Sequence, residues 1–285
     1  MRSPNLPPTS DPRRSFLKHL ALGVTALPFV AEAALPKVHP WKPHAPIDEN
    51  FWELVKKQFA VPSDMIMANS ANLCPSPRFV NDRARHFQEE LIRDVSFQNR
   101  AKYAETRKKT IQKLSDYLGV ESAEVGVTRN TSESNNIIVN GLELGKGDEV
   151  IIWDENHPTN NLSWQQRAKR RGFKVKVVSI PSPPTSPEGL VQLFADQMTK
   201  HTRVMSFSHI SNVSGIRMPA KELCQLAAER NILTLVDGAQ SFGAMDLDLR
   251  AVGCDFYTAS THKWLMGPLE NGVLYMKGSN IDKVW

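Results

Sequence analysis

Two groups of polar residues follow two buried strands that the sequence predicts late in the chain. The apolar run Ile232–Val236 has the composition of a buried strand, and Asp237 follows it directly. A second short strand, Asp255–Thr258, is followed by Lys263. In open α/β sheets, ligands bind in a crevice outside the carboxyl ends of the strands. We therefore expect the Asp237 carboxylate and the Lys263 amine to face one crevice.

A carboxylate and a lysine in one crevice are what pyridoxal phosphate (PLP) chemistry requires. The lysine forms a Schiff base, and the acid keeps the pyridine nitrogen protonated so that the ring can accept electrons. Taken singly, Asp237 is more often a turn or helix-cap residue, and Lys263 is more often a solvated surface lysine. Their order, and their common position after strands, favour catalytic roles for both.

The same stretch resembles a known family. Three motifs carry the likeness: Asp-Gly-Ala-Gln at 237–240, Ser-Thr-His-Lys-Trp at 260–264 and Gly-Pro at 267–268. They are similar to motifs of the class V aminotransferases, a group of fold-type I PLP enzymes that includes cysteine desulfurases and isopenicillin N epimerase-like proteins. The resemblance extends from about Met65 to about Lys277. It implies an α/β fold, with a mostly parallel, doubly wound sheet that carries helices on both faces.

The resemblance also implies roles for further residues. Thr131 and Ser132 look like the pair that binds the cofactor phosphate, and His157 looks like the residue that stacks on the cofactor ring. Asn212 and Gln240 match the groups near the phenolic oxygen. We predict catalytic roles for Lys263, Asp237 and His157. The complete set of predicted cofactor-binding residues is Thr131, Ser132, His157, Asn212, Asp237, Gln240, Ser260, His262 and Lys263.

Each of these secondary assignments has a structural alternative. Thr131 or Ser132 could simply cap a helix, with Glu133 or Asn135 in its first turn. His157 could be a surface loop residue, and Asn212 could form an Asx turn. The motifs around Lys263 favour the cofactor interpretation in each case.

The elements that must position these residues follow from periodicity. Alternating strands and helices predict a doubly wound sheet in which Gly272–Lys277 is the one antiparallel strand. A helix is predicted over Ser134–Leu142, and a strand over Met65–Ala68. Two helices are predicted between Ser76 and Leu118, and Gly119 follows them as a C-cap.

Composition excludes some classes of function. The chain has 285 residues, of which 41% are hydrophobic and 23% charged, and its net charge of +5 is mild. It has no basic block with interleaved aromatic residues, so we expect no nucleic-acid partner. Three cysteines lack metal-ligand spacing, so no metal site is predicted. Cys224 and Cys254 should be packed thiols, Cys74 could be exposed, and one disulfide stays open as an alternative.

The N-terminal residues resemble an export signal. Arg-Arg-Ser-Phe-Leu-Lys at 13–18 is similar to a twin-arginine motif, and a short apolar stretch and Ala-Glu-Ala at 31–33 follow it. The apolar stretch is too short for a stable membrane span. We therefore predict a signal peptide over 1–33, a Pro-rich linker over 34–47 and a class V domain over 48–285. The expected location is the periplasm, reached in the folded state through the twin-arginine export machinery.

The resemblance also raises an expectation about the C-terminal side. Class V enzymes continue into a small domain that carries the carboxylate-binding arginine and, in desulfurases, a loop cysteine. The sequence stops at Trp285, so we expect the PLP domain to be truncated there, with the small domain absent. At full length we expect a homodimer.

The function predicted first is that of a PLP-dependent enzyme acting on an amino acid or a related amine, close to the isopenicillin N epimerase-like and aminotransferase branch. A cysteine desulfurase or cysteine lyase is the alternative within enzymology. An alternative from another class is a catalytically incomplete PLP-fold fragment. The residues leave epimerisation, transamination and lyase chemistry open.

Overall fold

The computed structural model describes residues 48–181 and 186–284. In this part of the chain seven strands form one sheet: β1 (Val125–Thr128), β2 (Glu149–Trp153), β3 (Lys174–Val178), β4 (Thr202–Ser208), β5 (Leu233–Asp237), β6 (Phe256–Ser260) and β7 (Gly272–Met276). Their order in the sheet is β1-β7-β6-β5-β4-β2-β3. The strand β7 is antiparallel to both of its neighbours, and every other pairing is parallel. The predicted fold, including its antiparallel strand, is confirmed.

Helices cover both faces of this sheet. In chain order they are α1 (Glu49–Lys56), α2 (Arg78–Arg93), α3 (Phe97–Ala101), α4 (Tyr103–Leu118), α5 (Thr131–Gly141), α6 (Pro158–Arg171), α7 (Pro187–Ala195), α8 (Ala220–Glu229) and α9 (Leu249–Val252). Short 3₁₀ turns occupy Ser122–Glu124 and Gly278–Lys283.

The sheet buries apolar side chains on both faces, as a doubly wound fold requires. In β2, Ile151 and Trp153 join the core that includes residues of α4, α7 and α8. The alternate residues Val150 and Ile152 join a second core with α5 and α6. All five residues of β2 are buried. This pattern explains why residues 150–153 form a continuous apolar run rather than an alternating one.

The helix α5 begins three residues earlier than predicted, at Thr131. Its N-cap is Asn130, which has an extended backbone and whose side-chain oxygen accepts the Glu133 N–H at 2.9 Å. The predicted capping alternative therefore named the wrong residue. Because Asn130 performs that task, Thr131 and Ser132 occupy the first turn of the helix, where backbone N–H groups lack helical partners.

The segment preceding α2 differs from the prediction. Met65–Ala68 does not form a strand, and it pairs with none of the described strands. Ile66 in this segment is 91% exposed. Between residues 76 and 118 the chain forms three helices rather than two. Gly119 does end α4, with the positive φ of 70° that a C-cap glycine adopts.

All three cysteines are buried and free. Cys224 and Cys254 pack in the core, as predicted, and burial raises the pKa of the Cys224 thiol to about 12. Cys74 is only 8% exposed, which corrects the expectation that it could be exposed. Its backbone N–H donates to the carbonyl of His262 at 2.9 Å, and this bond holds it against the site described below.

The predicted signal peptide (1–33) and linker (34–47) lie outside the described residues. In the part of the chain that is described, no helix has the length and the apolar character that crossing a bilayer requires.

Candidate active site

The carboxyl ends of β5 and β6 and the first turn of α5 surround a cavity of about 190 Å³. This is the carboxyl edge of the parallel strands, and ligands of open α/β sheets bind in a crevice at that edge. Seven of the nine predicted site residues line the cavity: Thr131, Ser132, His157, Asp237, Ser260, His262 and Lys263.

The Lys263 side chain lines this cavity. No hydrogen bond or ion pair to its side chain occurs among residues 48–181 and 186–284. Burial lowers the pKa of the Lys263 amine, and the Asp237 charge offsets part of that effect. A lower pKa leaves more of the amine in the neutral form, which is the nucleophilic one.

The Asp237 carboxylate, in contrast, accepts two hydrogen bonds from the protein. It is 3% exposed, and one of its oxygens accepts the Ala239 backbone N–H at 3.1 Å. The other accepts the Asn135 side-chain amide at 2.9 Å. Two neutral donors stabilise a buried carboxylate without neutralising its charge. The cavity therefore contains a negative charge that can meet a protonated ring nitrogen.

A third part of the cavity consists of hydroxyl groups at the first turn of α5. The Thr131 backbone N–H donates to the Ser260 hydroxyl at 2.9 Å, and the two hydroxyl oxygens lie 2.6 Å apart. The Ser132 hydroxyl lies 3.1 Å from that of Thr159. Hydroxyls at the positive end of a helix dipole form a suitable site for a phosphate.

Both histidines of the cavity have lowered pKa values, which favours the neutral form of their rings. Burial is the main cause for His157, and burial followed by the Lys263 charge is the cause for His262. Nδ1 of His157 lies 2.8 Å from the Thr159 hydroxyl oxygen and 3.3 Å from the Thr159 backbone nitrogen, so Thr159 orients the ring. A neutral, oriented ring suits a stacking role.

Two predicted residues lie outside the cavity lining. Asn212 is exposed in the turn after β4. Gln240 is buried, but its side chain links two other groups: it donates to the Ala71 carbonyl at 2.9 Å and accepts from the Trp264 indole at 2.7 Å. Their assignment to the cofactor's phenolic oxygen stays a prediction.

Six further residues line the cavity that the sequence had not assigned to the site: Asn72, Asn130, Asn135, Thr159, Ala239 and Glu270. Asn135 lies four residues after Thr131, on the same face of α5, so helical spacing could have identified it. Thr159 is two residues from His157. Asn72 and Glu270 carry no such signal, because they come from irregular segments.

The fold is the one that the resemblance predicted, and comparison with known proteins identifies the family. Residues 74–284 match the family model for aminotransferase class V. The chain therefore belongs to the class V aminotransferase family, a family of PLP-dependent enzymes, and the resemblance found in the sequence is confirmed.

Curated relatives carry two kinds of name. Isopenicillin N epimerase of Streptomyces clavuligerus is 26% identical over 82% of this chain, and that of Amycolatopsis lactamdurans is 30% identical over 79%. A probable cysteine desulfurase of Pseudomonas aeruginosa is 40% identical over 57% of this chain. The chain spans 58%, 57% and 40% of these relatives' own lengths, respectively.

Solved structures agree on the fold. A mutant of C-DES with glycine covalently linked to its PLP cofactor superposes with a TM-score of 0.75 at 22% identity, over 80% of this chain and 61% of that one. The apo cysteine desulfurase of Thermococcus onnurineus gives 0.71 at 24% identity, over 81% and 58%.

Proposed function

We propose that this protein is a PLP-dependent enzyme that acts on an amino acid or a related amine. The observation that carries the proposal is the convergence of three groups on one cavity: the Lys263 amine, the buried Asp237 carboxylate and the hydroxyls at the first turn of α5. PLP needs a partner for its aldehyde, its pyridine nitrogen and its phosphate, and each of these groups suits one of them. The donor set therefore fits the cofactor.

Each residue of the cavity would have its own role toward the cofactor. Lys263 would hold the cofactor through its amine and, once a substrate amine replaces it, would move the proton at the substrate α-carbon. Asp237 would keep the pyridine nitrogen protonated, Thr131 and Ser132 would bind the phosphate, and His157 would cover the ring. When bound, PLP supplies an electron-accepting ring for the pair left at the α-carbon.

A covalent-trapping experiment tests this assignment. PLP is titrated into the protein, the mixture is reduced with borohydride, and the labelled peptide is mapped. We expect the label on Lys263, and none after Lys263→Ala. Lys277→Ala, outside the cavity lining, is the matched control and should label normally. A wild-type protein that takes up no PLP, or a label that persists in the Lys263→Ala variant, would contradict the proposal.

The reaction subtype is proposed to be epimerisation or transamination, because the epimerase relatives align over the larger share of the chain. Cysteine desulfuration or cysteine lysis is the second candidate, supported by the higher identity of some desulfurase relatives. An amino-acid panel separates them: a product of inverted configuration or a keto acid supports the first candidate, and sulfide released from cysteine supports the second. Label on Lys263 without any turnover would favour a catalytically incomplete protein.

We also propose that the enzyme is exported to the periplasm through the twin-arginine route. The support is the arginine pair, the apolar stretch and the Ala-Glu-Ala pattern within the first 33 residues. Replacing Arg13 and Arg14 by lysine should keep the precursor in the cytoplasm. Equal periplasmic yield from both forms would contradict export by this route.

A homodimer is proposed as the assembly, since class V enzymes are typically dimeric. Exposed apolar side chains between residues 65 and 97 support it, among them Ile66 (91%), Val95 (75%) and Phe97 (74%). Sedimentation should give a dimer that Phe97→Asp weakens. A wild-type monomer at micromolar concentration would oppose the proposal.

A further inference from the structure

We propose that Asn135 is a positioning residue that fixes the Asp237 carboxylate in the cofactor cavity, and that Thr258 fixes the amide of Asn135 in turn. The inference rests on the proposed PLP site and adds two residues to it. It concerns the orientation of the acid rather than a new contact to substrate.

The sheet register brings Thr258 and Asp237 together. Asp237, the last residue of β5, is the direct neighbour of Thr258 in β6. Side chains alternate along a strand, so Asp237 shares a face with Leu235, and Thr258 shares one with Phe256. Both of these apolar residues belong to the core beneath α5. The acid and the hydroxyl therefore lie side by side under that helix.

Asn135 comes from α5 itself and closes the group of three. Its side chain donates to Oδ2 of Asp237 at 2.9 Å and accepts from the Thr258 hydroxyl at 2.7 Å. The three residues are buried, with exposures of 1% for Asn135, 3% for Asp237 and 0% for Thr258. No water needs to complete this network.

The chemistry of the groups fixes every orientation in this network. A carboxylate only accepts hydrogen bonds, so the amide must turn its NH₂ toward Asp237. Its carbonyl oxygen then faces Thr258, whose hydroxyl has to donate. With Oδ1 held by the Ala239 N–H as well, rotation of the carboxylate would break a bond on either side. Each carboxylate oxygen can accept a second bond, and Asp237 lines the cavity, so capacity remains for a ring nitrogen.

Another buried asparagine shows what a purely structural amide looks like in this fold. Asn160 on α6 is 0% exposed, and within the described residues its side chain hydrogen-bonds to the Ser206 hydroxyl of β4, at 3.4 and 3.5 Å. It does not line the cofactor cavity. Asn160 therefore provides a matched control: a buried asparagine of the same size, in the same layer, that does not touch the acid.

The test compares PLP binding and the visible spectrum of the loaded protein in four variants. Asn135→Leu keeps the size but removes a hydrogen bond to a charged group, and should weaken PLP binding roughly 10- to 100-fold and shift the absorption band. Thr258→Val should weaken binding less, and Thr258→Ser should restore the wild-type value, since it keeps the hydroxyl. Asn160→Leu should lower the melting temperature without changing the spectrum or the PLP affinity.

The outcomes separate this inference from the proposed function. Wild-type PLP affinity and spectrum in a folded Asn135→Leu protein would overturn the role of Asn135 and leave the PLP site intact. The role of Asn135 would be overturned equally if Asn160→Leu changed both readouts to the same extent. A wild-type protein that binds no PLP would overturn the proposed function and, with it, the inference. If Asn135→Leu does not fold, a loss of affinity in Thr258→Val that Thr258→Ser restores supports the network, and its absence overturns it.

Discussion

The two sides of the cavity are built in different ways. The acid side, defined by Asn135, Asp237 and Thr258, comes from a helix and two central strands, and its members are almost fully buried. The lysine loop, defined as residues 261–269, is irregular and carries exposed apolar side chains, including Leu269 at 64%. Residues of the segment 71–76, outside the sheet, hold this loop through hydrogen bonds to its backbone carbonyls.

The difference shows which part of the site the sheet determines. The acid is held by groups whose positions follow from strand register and helix packing. The position of Lys263 depends on the lysine loop, which is hydrogen-bonded to a segment without regular secondary structure. The Ser76 hydroxyl donates to the Gly267 carbonyl at 2.6 Å, and the Cys74 N–H donates to the His262 carbonyl. We therefore expect a rigid acid side and a more adaptable lysine side, and perturbations should differ accordingly.

The largest effect is expected from Asp237→Asn. The amide is neutral and cannot keep a ring nitrogen protonated, so turnover should fall about 10²- to 10³-fold, a loss typical of removing one preorganised electrostatic group. Steady-state kinetics on the amino acid that the substrate panel identifies would measure it. The matched control is Asp255→Asn, since the Asp255 carboxylate bonds to Thr234 and Asn280, before β6 begins. Comparable activity in the two variants would remove the special role of the acid side.

This comparison also explains what the sequence could predict. Asp237 and Lys263 were identified because apolar runs mark buried strands, and chemistry follows at the carboxyl ends of such strands. The exact start of α5 was missed because Asn130, Thr131 and Ser132 are all acceptable N-cap residues, and only the backbone conformation distinguishes them.

The second prediction concerns pH and the buried His209, whose backbone N–H donates to the Asp237 carbonyl at 2.8 Å. Burial, helped by the Arg217 charge, lowers the pKa of His209 to about 4 from an ordinary value of 6.5. Its folded-state pKa is depressed, so stability is fully present above pH 6.5 and is lost as the pH falls toward 4. The unfolding free energy should fall by about 3 kcal/mol over this range.

Urea unfolding between pH 4 and pH 7.5 measures this loss. His157 and His262 shift in the same direction, so the informative quantity is the difference in slope between the wild type and His209→Leu. In His209→Leu the unfolding free energy should depend less on pH than in the wild type. Replacing the exposed His201 by glutamine should leave that dependence unchanged. An unchanged slope in His209→Leu would show that another group carries the pH dependence.

The third prediction tests how tightly the acid side is packed. A Cβ added at Gly238 would lie 1.9 Å from the ring of Tyr257, which is fully buried and bonded to Ser241 at 2.9 Å. Gly238→Ala should therefore cost about 1–3 kcal/mol of unfolding free energy. Gly145→Ala, where a Cβ meets nothing within 4 Å, is the control and should be nearly neutral. Equal stability of the two variants would mean that the ring can move aside at little cost.

Long-range placement is what the sequence could not supply. Asn72 and Glu270 reach the cavity from irregular segments, and a local pattern says nothing about where such segments pack. The apolar run Met65–Ala68 has the composition of a strand, yet it pairs with none of the described strands. Tertiary context overrode the local propensity there.

The smallest effect is expected on the lysine side, from Trp264→Phe. The Trp264 indole donates to Gln240 at 2.7 Å, and Gln240 in turn donates to the Ala71 carbonyl, so the change loosens one link between the lysine loop and the segment 71–76. Trp264 is 37% exposed, so water can replace the lost donor, and the cost should be about 0.5–1.5 kcal/mol of unfolding free energy.

PLP affinity should fall only a few-fold in Trp264→Phe, while proteolysis within residues 261–269 should become faster. Urea unfolding, PLP titration and timed proteolysis of the same protein measure the three quantities. A loss of stability larger than that of Gly238→Ala, or unchanged proteolysis, would show that the lysine loop is held as rigidly as the acid side.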